Sequence, residues 1–368
     1  MAIQRSSLGF DFDIYNFFFG KSDTSFCQQE KVNDNMEHPR ILDIREACTG
    51  CGACAETCKK SCVTMGEDEY GFYYPKVELS RCIMCGACAK VCHVITNGQI
   101  SEEPLWWNKS RVGVFQSKDQ KIVENSTSGG AFTFFASKCL KEGGVVFASR
   151  YNGDVERLEF SNTDSFELGE FRKSRYMESS TNGVFNSIKT FLKEGRNVLF
   201  CGTPCQVSGL KKYLGSINTV NLLTINFICH GVPSNKHFHL WLHSKHPHIK
   251  KIANIDFRYK NKGEGLGWHE MCLSILEESG KRTNIPYTDS TYYLSFYQDD
   301  LLRKSCYSCN IINGLSADIT LGDYWGVNNN SCVKDDNTGL SLVILHSVKA
   351  QLFLSDMASE GFFFQVRI

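Results

Sequence analysis

Two stretches of the chain, residues 48–58 and 82–92, carry the same cysteine spacing. Both read C-x2-C-x2-C-x3-C, and the residues between the cysteines repeat as well, CTGCGACAETC against CIMCGACAKVC. The chain therefore contains an internal duplication, whose second copy begins 34 residues after the first. Stacked repeat arrays need about three or more copies, so two copies predict a closed module with two equivalent sites.

This spacing suits iron–sulfur chemistry. Three cysteines at intervals of three residues wrap a tight loop around one cubane, whereas the fourth points away and, in two-cluster ferredoxins, ligates the other cluster. One [4Fe–4S] cluster is therefore predicted at Cys48, Cys51, Cys54 and Cys92, and the other at Cys82, Cys85, Cys88 and Cys58. Gly52 and Gly86 suit the close approach of backbone to inorganic sulfide.

A pair of zinc sites is the alternative reading of the same cysteines. Structural zinc usually takes two C-x2-C pairs separated by a longer loop, so iron–sulfur clusters are favoured. Three features depart from the ferredoxin pattern. Lys59 and His93 stand where a proline usually follows the fourth cysteine, and Cys62 is a ninth cysteine without an assigned partner. These departures are expected to affect the reduction potential and the lability of the clusters more than their ligation by cysteine.

The overall composition narrows the class of protein. The 368 residues include 18 cysteines, 40 basic and 40 acidic residues; this charge balance argues against a dedicated nucleic-acid binder. No apolar run reaches the roughly 18–20 residues of a membrane span. Asp11 and Asp13 interrupt the apolar N-terminal stretch, so no signal peptide is predicted. A cytoplasmic, reducing location is expected, where many cysteines indicate metal rather than disulfides.

Changes in sequence pattern divide the chain into four parts. We expect a poorly ordered N-terminal extension at residues 1–40, an α+β ferredoxin-like 2[4Fe–4S] domain at 41–98 and a linker at 99–110. Residues 111–368 alternate strands, glycine-bearing loops and helices, which predicts an α/β domain with a largely parallel sheet. After Trp268 the pattern favours an irregular β-rich C-terminal part with a closing helix over 347–359. The chain ends soon after Phe364, which is expected to be short of where similar proteins end.

Ligands in open α/β sheets bind beyond the carboxyl ends of the strands, and three unusual loops follow predicted strands. They contain STSGG (126–130), CGTPCQ (201–206) and CHGVPS (229–234). Thr203 is predicted as a helix N-cap with Pro204 as the first helical residue. Such loops can cradle a phosphate, although a plain helix cap with a turn explains them equally well.

The remaining cysteines and histidines allow several interpretations. Four thiols outside the repeats could hold a third [4Fe–4S] cluster if their loops converge: Cys205, Cys229, Cys306 and Cys309. The C-x2-C pair among them could also be half a zinc site, a redox pair or a coincidence. Cys139, Cys272 and Cys332 are expected to be inert thiols, and Cys201 is ambiguous. The five histidines between residues 237 and 248 predict a solvated helix face rather than a metal site.

Six motifs in fixed order resemble the coenzyme F420 hydrogenase/dehydrogenase beta-subunit family over roughly residues 45–350: STSGG, CGTPCQVSGL, ICHGVPS, FRYKNKGEGLGW, CYSC and ADITLGDYWG. Members look like iron–sulfur flavoproteins that hold FAD beside a [4Fe–4S] cluster. The resemblance implies that residues 111–368 form a flavin and iron–sulfur domain, with the third cluster on the four cysteines named above. It implies flavin contacts at Ser126, Ser128, Gly129, Gly130, Gly202, Thr203, Arg258 and Lys260. Trp268 would lie near the flavin, and Asp318, Gly322, Asp323 and Trp325 match the terminal motif without individual roles.

The resemblance implies an oxidoreductase that transfers electrons between a two-electron carrier or substrate, similar to coenzyme F420, and ferredoxin-type clusters via FAD. A redox partner protein, either ferredoxin or another subunit, and a redox small molecule are the expected partners, with no nucleic acid. No acid–base pair stands out, so catalytic residues stay unassigned. The alternative is a non-catalytic electron-carrier or scaffold subunit of a larger redox complex, for example in a bacterial polysaccharide pathway. A zinc-bound regulatory protein is a third reading.

Overall fold

The computed structural model describes residues 38–96, 110–311, 317–325, 327 and 334–365. Nearly all of the expected N-terminal extension and linker lies outside these residues. Within them, no helix is long and apolar enough to cross a membrane.

The N-terminal region, residues 38–96, shows the duplication directly. Each cysteine run contains a glycine at positive φ, Gly52 at +79° and Gly86 at +71°. A one-turn helix follows each glycine, α1 (Ala53–Glu56) and α2 (Ala87–Lys90), and α3 (His93–Thr96) ends the described part of the region. Between the runs, β1 (Val63–Glu67) pairs antiparallel with β2 (Tyr73–Val77). The two cysteine runs are therefore separated by a β-hairpin.

The larger region contains the remaining strands: β3 (Arg111–Ser117), β4 (Val145–Asn152), β5 (Arg157–Thr163), β6 (Ser179–Ser180), β7 (Val198–Cys201), β8 (Leu222–Phe227), β9 (Ile252–Tyr259), β10 (Cys272–Glu277), β11 (Arg282–Pro286), β12 (Ile319–Asp323), β13 (Ser341–Leu345) and β14 (Gly361–Gln365). Its helices are α4 (Gln120–Glu124), α5 (Ala131–Lys141), α6 (Val184–Lys193), α7 (Pro204–Leu214), α8 (Asn235–Lys245), α9 (Thr291–Tyr297), α10 (Val348–Gln351) and α11 (Leu354–Glu360). From β7 to β9, strands and helices alternate as predicted. The predicted closing helix is two helices, α10 and α11.

The main sheet is mixed rather than largely parallel. Among the described residues its order is β14-β3-β13-β12-β8-β7-β4-β5-β6. The central strands β12, β8, β7 and β4 are parallel, whereas β13, β3 and β14 pair antiparallel, as do β4 and β5. The prediction of a largely parallel sheet is therefore correct only for the centre. It failed at the edge because β3 lies between two strands from the far end of the chain.

The C-terminal part is more regular than expected. Strands β9, β10 and β11 form a separate antiparallel sheet in the order β11-β10-β9. Phe257 and Ile275 from this sheet pack with Phe238 of α8 and Tyr292 of α9 in one buried cluster. The later strands β12, β13 and β14 return to the main sheet.

Two apolar layers cover the main sheet. Helices α5 and α11 pack with Phe115, Leu199 and Ile225 on one face. On the other face, α6 and α7 pack with Phe147 and Phe200, and Ala53 of the N-terminal region is buried in the same cluster. The first cysteine run is therefore joined to the core of the larger region.

Candidate functional site

The thiols predicted for the first cluster line one cavity, together with Gly52 and His93. Burial raises the pKa of Cys51 to about 12, and the nearby Cys48, Cys205 and Cys92 add to the shift. Burial also raises the pKa of Cys54, with Cys51, Cys48 and Cys92 contributing. Thiols from both runs are therefore neighbours, as the crossed ligation pattern requires. Four thiols around a cavity fit a [4Fe–4S] cluster, whose iron would favour their ionised form.

The second set is more exposed. Burial raises the pKa of Cys88, and Cys82 and Cys85 contribute to the shift. Cys58 lies beside Cys62, with 3.4 Å between their sulfur atoms. The hydrogen bond to Cys58, followed by burial, raises the pKa of Cys62 to about 11, and Cys82 contributes as well. Sequence reasoning left Cys62 without a partner because it lies outside the repeat; the structure places it against two predicted ligands.

The four cysteines outside the repeats also come together. Burial raises the pKa of Cys205 to about 12, and Cys306 and Cys309 add to the shift. Burial raises the pKa of Cys229 as well, with Cys205 and Cys306 contributing. These thiols come from the first turn of α7, the loop after β8 and the segment that begins with the turn at Lys304–Cys306. Three separate segments of the chain therefore deliver four thiols to one place.

In the described ranges, no three His, Cys, Asp or Glu side chains converge closely enough to hold a single metal ion. The three sets of thiols are therefore defined by which thiols lie near one another.

The first and third sets of thiols adjoin each other. Cys205 is one of the groups that raise the pKa of Cys51. Cys51 also packs against α7, where a Cβ added to Gly209 would lie 2.7 Å from its sulfur. Thr181 Oγ1 donates a hydrogen bond to the Cys51 carbonyl oxygen at 2.8 Å. Gly209 belongs to the CGTPCQVSGL motif, but nothing in the sequence of this motif indicates that Gly209 faces the first cysteine run.

A buried ion pair joins the same two sets. Arg303, only 1% exposed, donates through Nη1 to Glu178 at 2.7 Å, through Nε to the Cys48 carbonyl oxygen at 2.7 Å and through Nη2 to the Tyr73 carbonyl oxygen at 2.7 Å. The Cys306 amide donates in turn to the Arg303 carbonyl oxygen at 2.8 Å. Burial opposes the charge of Arg303, but Glu178 and Cys48 outweigh it and raise its pKa. Neither partner of this pair stands out in the sequence.

The loops predicted to cradle phosphate lie at the carboxyl edge of the sheet. In the STSGG loop, however, Ser126 Oγ donates to the Ile122 carbonyl oxygen at 2.7 Å, and the Gly129 amide donates to Ser341 Oγ at 2.9 Å. Ser128 Oγ also lies 2.9 Å from Ser341 Oγ. A Cβ on Gly129 would approach the backbone of β3 to 2.1 Å. The protein itself therefore uses these polar groups, and Gly130 serves as the N-cap of α5 at φ +92°.

Lys260 holds this loop in place. Its ammonium group donates to the carbonyl oxygens of Thr338 at 2.5 Å, Val123 at 2.8 Å and Ser128 at 3.3 Å. Burial lowers its pKa to about 7, and Lys173 contributes to the shift. All three ammonium protons have backbone acceptors, so Lys260 positions the loop.

Arg258 contacts an acidic residue and a pair of stacked tryptophans. Its Nη1 donates to Asp323 at 2.9 Å, and its guanidinium lies 5.3 Å from the centroid of the Trp325 ring. Trp325 stacks on Trp268 with centroids 3.9 Å apart and an interplanar angle of 6°. Arg258 Nη2 and Trp268 Nε1 are buried without a partner among the described residues. Two unpartnered donors beside a tryptophan stack suit a planar ligand that carries hydrogen-bond acceptors.

Thr203 lies beside the third thiol set, and Gly202 precedes it in the chain. Thr203 caps α7 in a reciprocal capping box with Gln206, as predicted, and its Oγ1 lies 3.0 Å from Cys205 Sγ. Strands β3 and β7 are separated by three strands, which places their ends roughly 19 Å apart at about 4.8 Å per strand. The STSGG and GTPC loops therefore serve different parts of the crevice.

The structure also shows the contacts and burial of the other residues that the sequence analysis named. Asp318 accepts hydrogen bonds from the amide and hydroxyl of Thr224 at 2.9 and 2.7 Å, and a Cβ on Gly322 would lie 2.8 Å from Ile228. Cys139 and Cys272 are buried, as expected. Burial raises the pKa of Cys201 to about 12. Cys27 and Cys332 lie outside the described residues.

The predicted histidine face is solvated only in part. His243 and His248 are exposed. His239 Nε2 lies 2.6 Å from the Glu156 carbonyl oxygen, and His237 Nδ1 lies 3.0 Å from Ser234 Oγ.

Comparison with known proteins shows which protein families the chain resembles. Residues 195–365 match the family described as the C terminus of the coenzyme F420 hydrogenase/dehydrogenase beta subunit, and residues 47–95 match the 4Fe–4S dicluster domain. The chain therefore combines a 4Fe–4S dicluster segment with a segment similar to the iron–sulfur redox subunits of the coenzyme F420 hydrogenase/dehydrogenase type. The resemblance inferred from the motifs is confirmed.

A chain in the solved F420-reducing [NiFe] hydrogenase complex from Methanosarcina barkeri is also similar. It is 18% identical, with a TM-score of 0.47 over 70% of this chain and 82% of that one. None of the curated proteins matches the sequence.

Proposed function

We propose that this protein is an iron–sulfur flavoprotein that passes electrons between a two-electron carrier of the coenzyme F420 type and an external redox protein. FAD and three [4Fe–4S] clusters would carry the electrons. The observation that carries the proposal is the convergence of Cys205, Cys229, Cys306 and Cys309 beside the first cysteine set. No local repeat requires these four thiols to meet, so their grouping supports a third cluster.

The arrangement supports a linear electron path. The thiols of the first set are buried or half-buried and adjoin the third set through Cys51 and Gly209, whereas Cys85 of the second set is exposed. The first cluster would thus relay electrons between an outer and an inner cluster. The inner cluster would lie at the carboxyl edge of the sheet, next to the crevice.

The crevice has the features that a flavin ring would use. Arg258 Nη2 and Trp268 Nε1 would donate to ring acceptors, while Lys260 would hold the adjoining loop. FAD supplies the exchange between two-electron and one-electron chemistry when it is bound.

The exposed end of the path supports docking of an acidic redox protein. Leu79, Ile83 and Met84 are 54%, 61% and 39% exposed around the second cysteine run. Four exposed cationic side chains accompany them: Lys59, Lys60, Arg81 and Lys90. An apolar centre with positive charges around it favours a partner with an acidic surface.

One observation favours the alternative of a non-catalytic electron-carrier or scaffold subunit. The polar groups of the STSGG loop and of Lys260 already have partners within the protein. If the crevice binds no flavin, these residues would do no more than shape the fold.

Anaerobic titration of the reconstituted full chain distinguishes the two functions. After gel filtration, the protein is mixed separately with reduced coenzyme F420, NADPH and reduced ferredoxin while flavin and cluster absorbance are followed. We expect flavin to remain bound, and reduced coenzyme F420 to bleach it. Loss of all flavin on the column, with cluster reduction by ferredoxin alone, would instead support the carrier or scaffold role.

A further inference from the structure

His93 stands directly after Cys92 and lines the same cavity as the first thiol set. The side chain is buried, with the residue 1% exposed. Its Nε2 lies 3.0 Å from Thr49 Oγ1, whereas its Nδ1 is buried without a partner among the described residues. A buried polar nitrogen that the protein leaves unpaired at a cavity indicates a ligand on its other side.

The chemistry of the cavity decides which nitrogen carries the proton. Thiolate and inorganic sulfide accept hydrogen bonds and have no proton to donate, so Nδ1 can be satisfied only as an N–H donor. Nε2 must then accept, and Thr49 Oγ1 can supply the proton for that bond. Thr49 follows Cys48, so the first cysteine run itself sets this tautomer.

We propose that the His93 Nδ1–H donates a hydrogen bond to the cluster at Cys48, Cys51, Cys54 and Cys92, and thereby raises its reduction potential above that of the second cluster. The inference rests on the proposed iron–sulfur function and adds a residue that tunes it. Reduction adds negative charge to the cluster, so a donor stabilises the reduced state more than the oxidised state. His93 acts through the cluster's environment and is a positioning residue.

The duplication provides an internal control. Lys59 occupies the equivalent position after Cys58 and is exposed. The second cluster therefore lacks an equivalent buried donor at this position. The two clusters would then differ in potential despite matching cysteine spacings.

The test is an EPR-monitored redox titration of the full chain, reconstituted without oxygen. His93→Leu removes the donor and keeps the site apolar, His93→Asn keeps an N–H near the position of Nδ1, and Lys59→Ala is the matched control. Cys85→Ala, which removes a predicted ligand of the second cluster, assigns the signals. We expect His93→Leu to make reduction of the first cluster at least about tenfold less favourable, or 59 mV for one electron. His93→Asn should recover most of this shift, and Lys59→Ala should leave the first cluster unchanged.

A second readout covers the case in which His93→Leu does not assemble. Pulsed EPR of the otherwise unchanged protein with ¹⁵N-labelled histidine should detect nitrogen coupling to the reduced first cluster, and His93→Asn should abolish it. The inference is overturned if the clusters form but show no such coupling, or if the His93 variants keep the wild-type potential. Absence of the first cluster from the unchanged protein would instead overturn the proposed function.

Discussion

The two cysteine runs have nearly the same sequence but different surroundings. A Cβ added to Gly52 in the first run would lie 2.6 Å from Thr181 of the larger region, whereas one added to Gly86 would meet no atom of the described residues within 4 Å. Cys51 is half-buried, and its counterpart Cys85 is exposed. A duplicated motif therefore repeats ligand chemistry without repeating environment. Under the proposed function, what packs against each run would make the first an internal relay and the second a surface terminal.

We expect the largest effects when one predicted cluster ligand is removed from each run. We expect both Cys51→Ala and Cys85→Ala to lose about four irons per chain. Cys51→Ala should also abolish flavin reduction by ferredoxin, because the relay is interrupted. Cys85→Ala should slow that reduction to a smaller extent. Iron analysis with stopped-flow spectroscopy measures both effects, and a wild-type rate in Cys51→Ala would argue against a linear path.

Arg303→Met should strongly destabilise the contact between the first cysteine run and the larger region. The variant leaves Glu178 buried without its partner, which typically costs about 3–5 kcal/mol. The double variant Arg303→Met, Glu178→Gln should recover part of the loss, because no charge then stays buried. Denaturant unfolding checks this, with Lys304→Met as the control.

Lys304 pairs with Glu46 at 2.8 Å on the exposed surface, and screening by water leaves such pairs with little effect. Equal destabilisation by Arg303→Met and Lys304→Met would show that the buried pair does not join the two regions.

Gly209→Ala should have an intermediate effect on the packing around the first cysteine run. The new methyl group would lie 2.7 Å from the Cys51 sulfur, and overpacking of this kind costs about 1–3 kcal/mol. We expect a lower free energy of unfolding and faster iron loss to a chelator. Gly169→Ala is the matched control, since its added Cβ meets no atom within 4 Å. Unchanged iron release in Gly209→Ala would mean that α7 does not confine the first cluster.

Reversing the charges around the second run should have the smallest effect. Lys59→Glu with Lys90→Glu should lower the rate of association with an acidic ferredoxin on the order of tenfold at low salt, and the difference should shrink at high salt. The same reversal at Lys245 and Lys281, exposed residues of the larger region, should change little. A loss that salt does not reduce would place the docking surface elsewhere.

The sequence predicts local features well and distant pairings poorly. The N-cap at Thr203 depends on residues within one helical turn, so it could be anticipated. The proximity of Cys54 to Cys92 could be anticipated from the repeat itself. The antiparallel edge formed by β3 could not, because its partners β13 and β14 lie more than 200 residues away. Arg303 and Glu178 belong to no repeat and gained their roles only when folding brought three segments together. The same holds for Gly209, whose constraint is a sulfur atom from another region.

The central claim is that four thiols outside the repeats extend the two-cluster module into a three-cluster path. Iron and flavin analysis of the anaerobically reconstituted full chain, beside Cys229→Ala, tests this claim most directly. We predict about 12 irons and one flavin for the unchanged chain, and about 8 irons for Cys229→Ala. About 8 irons in both proteins, with no flavin retained, would contradict the account.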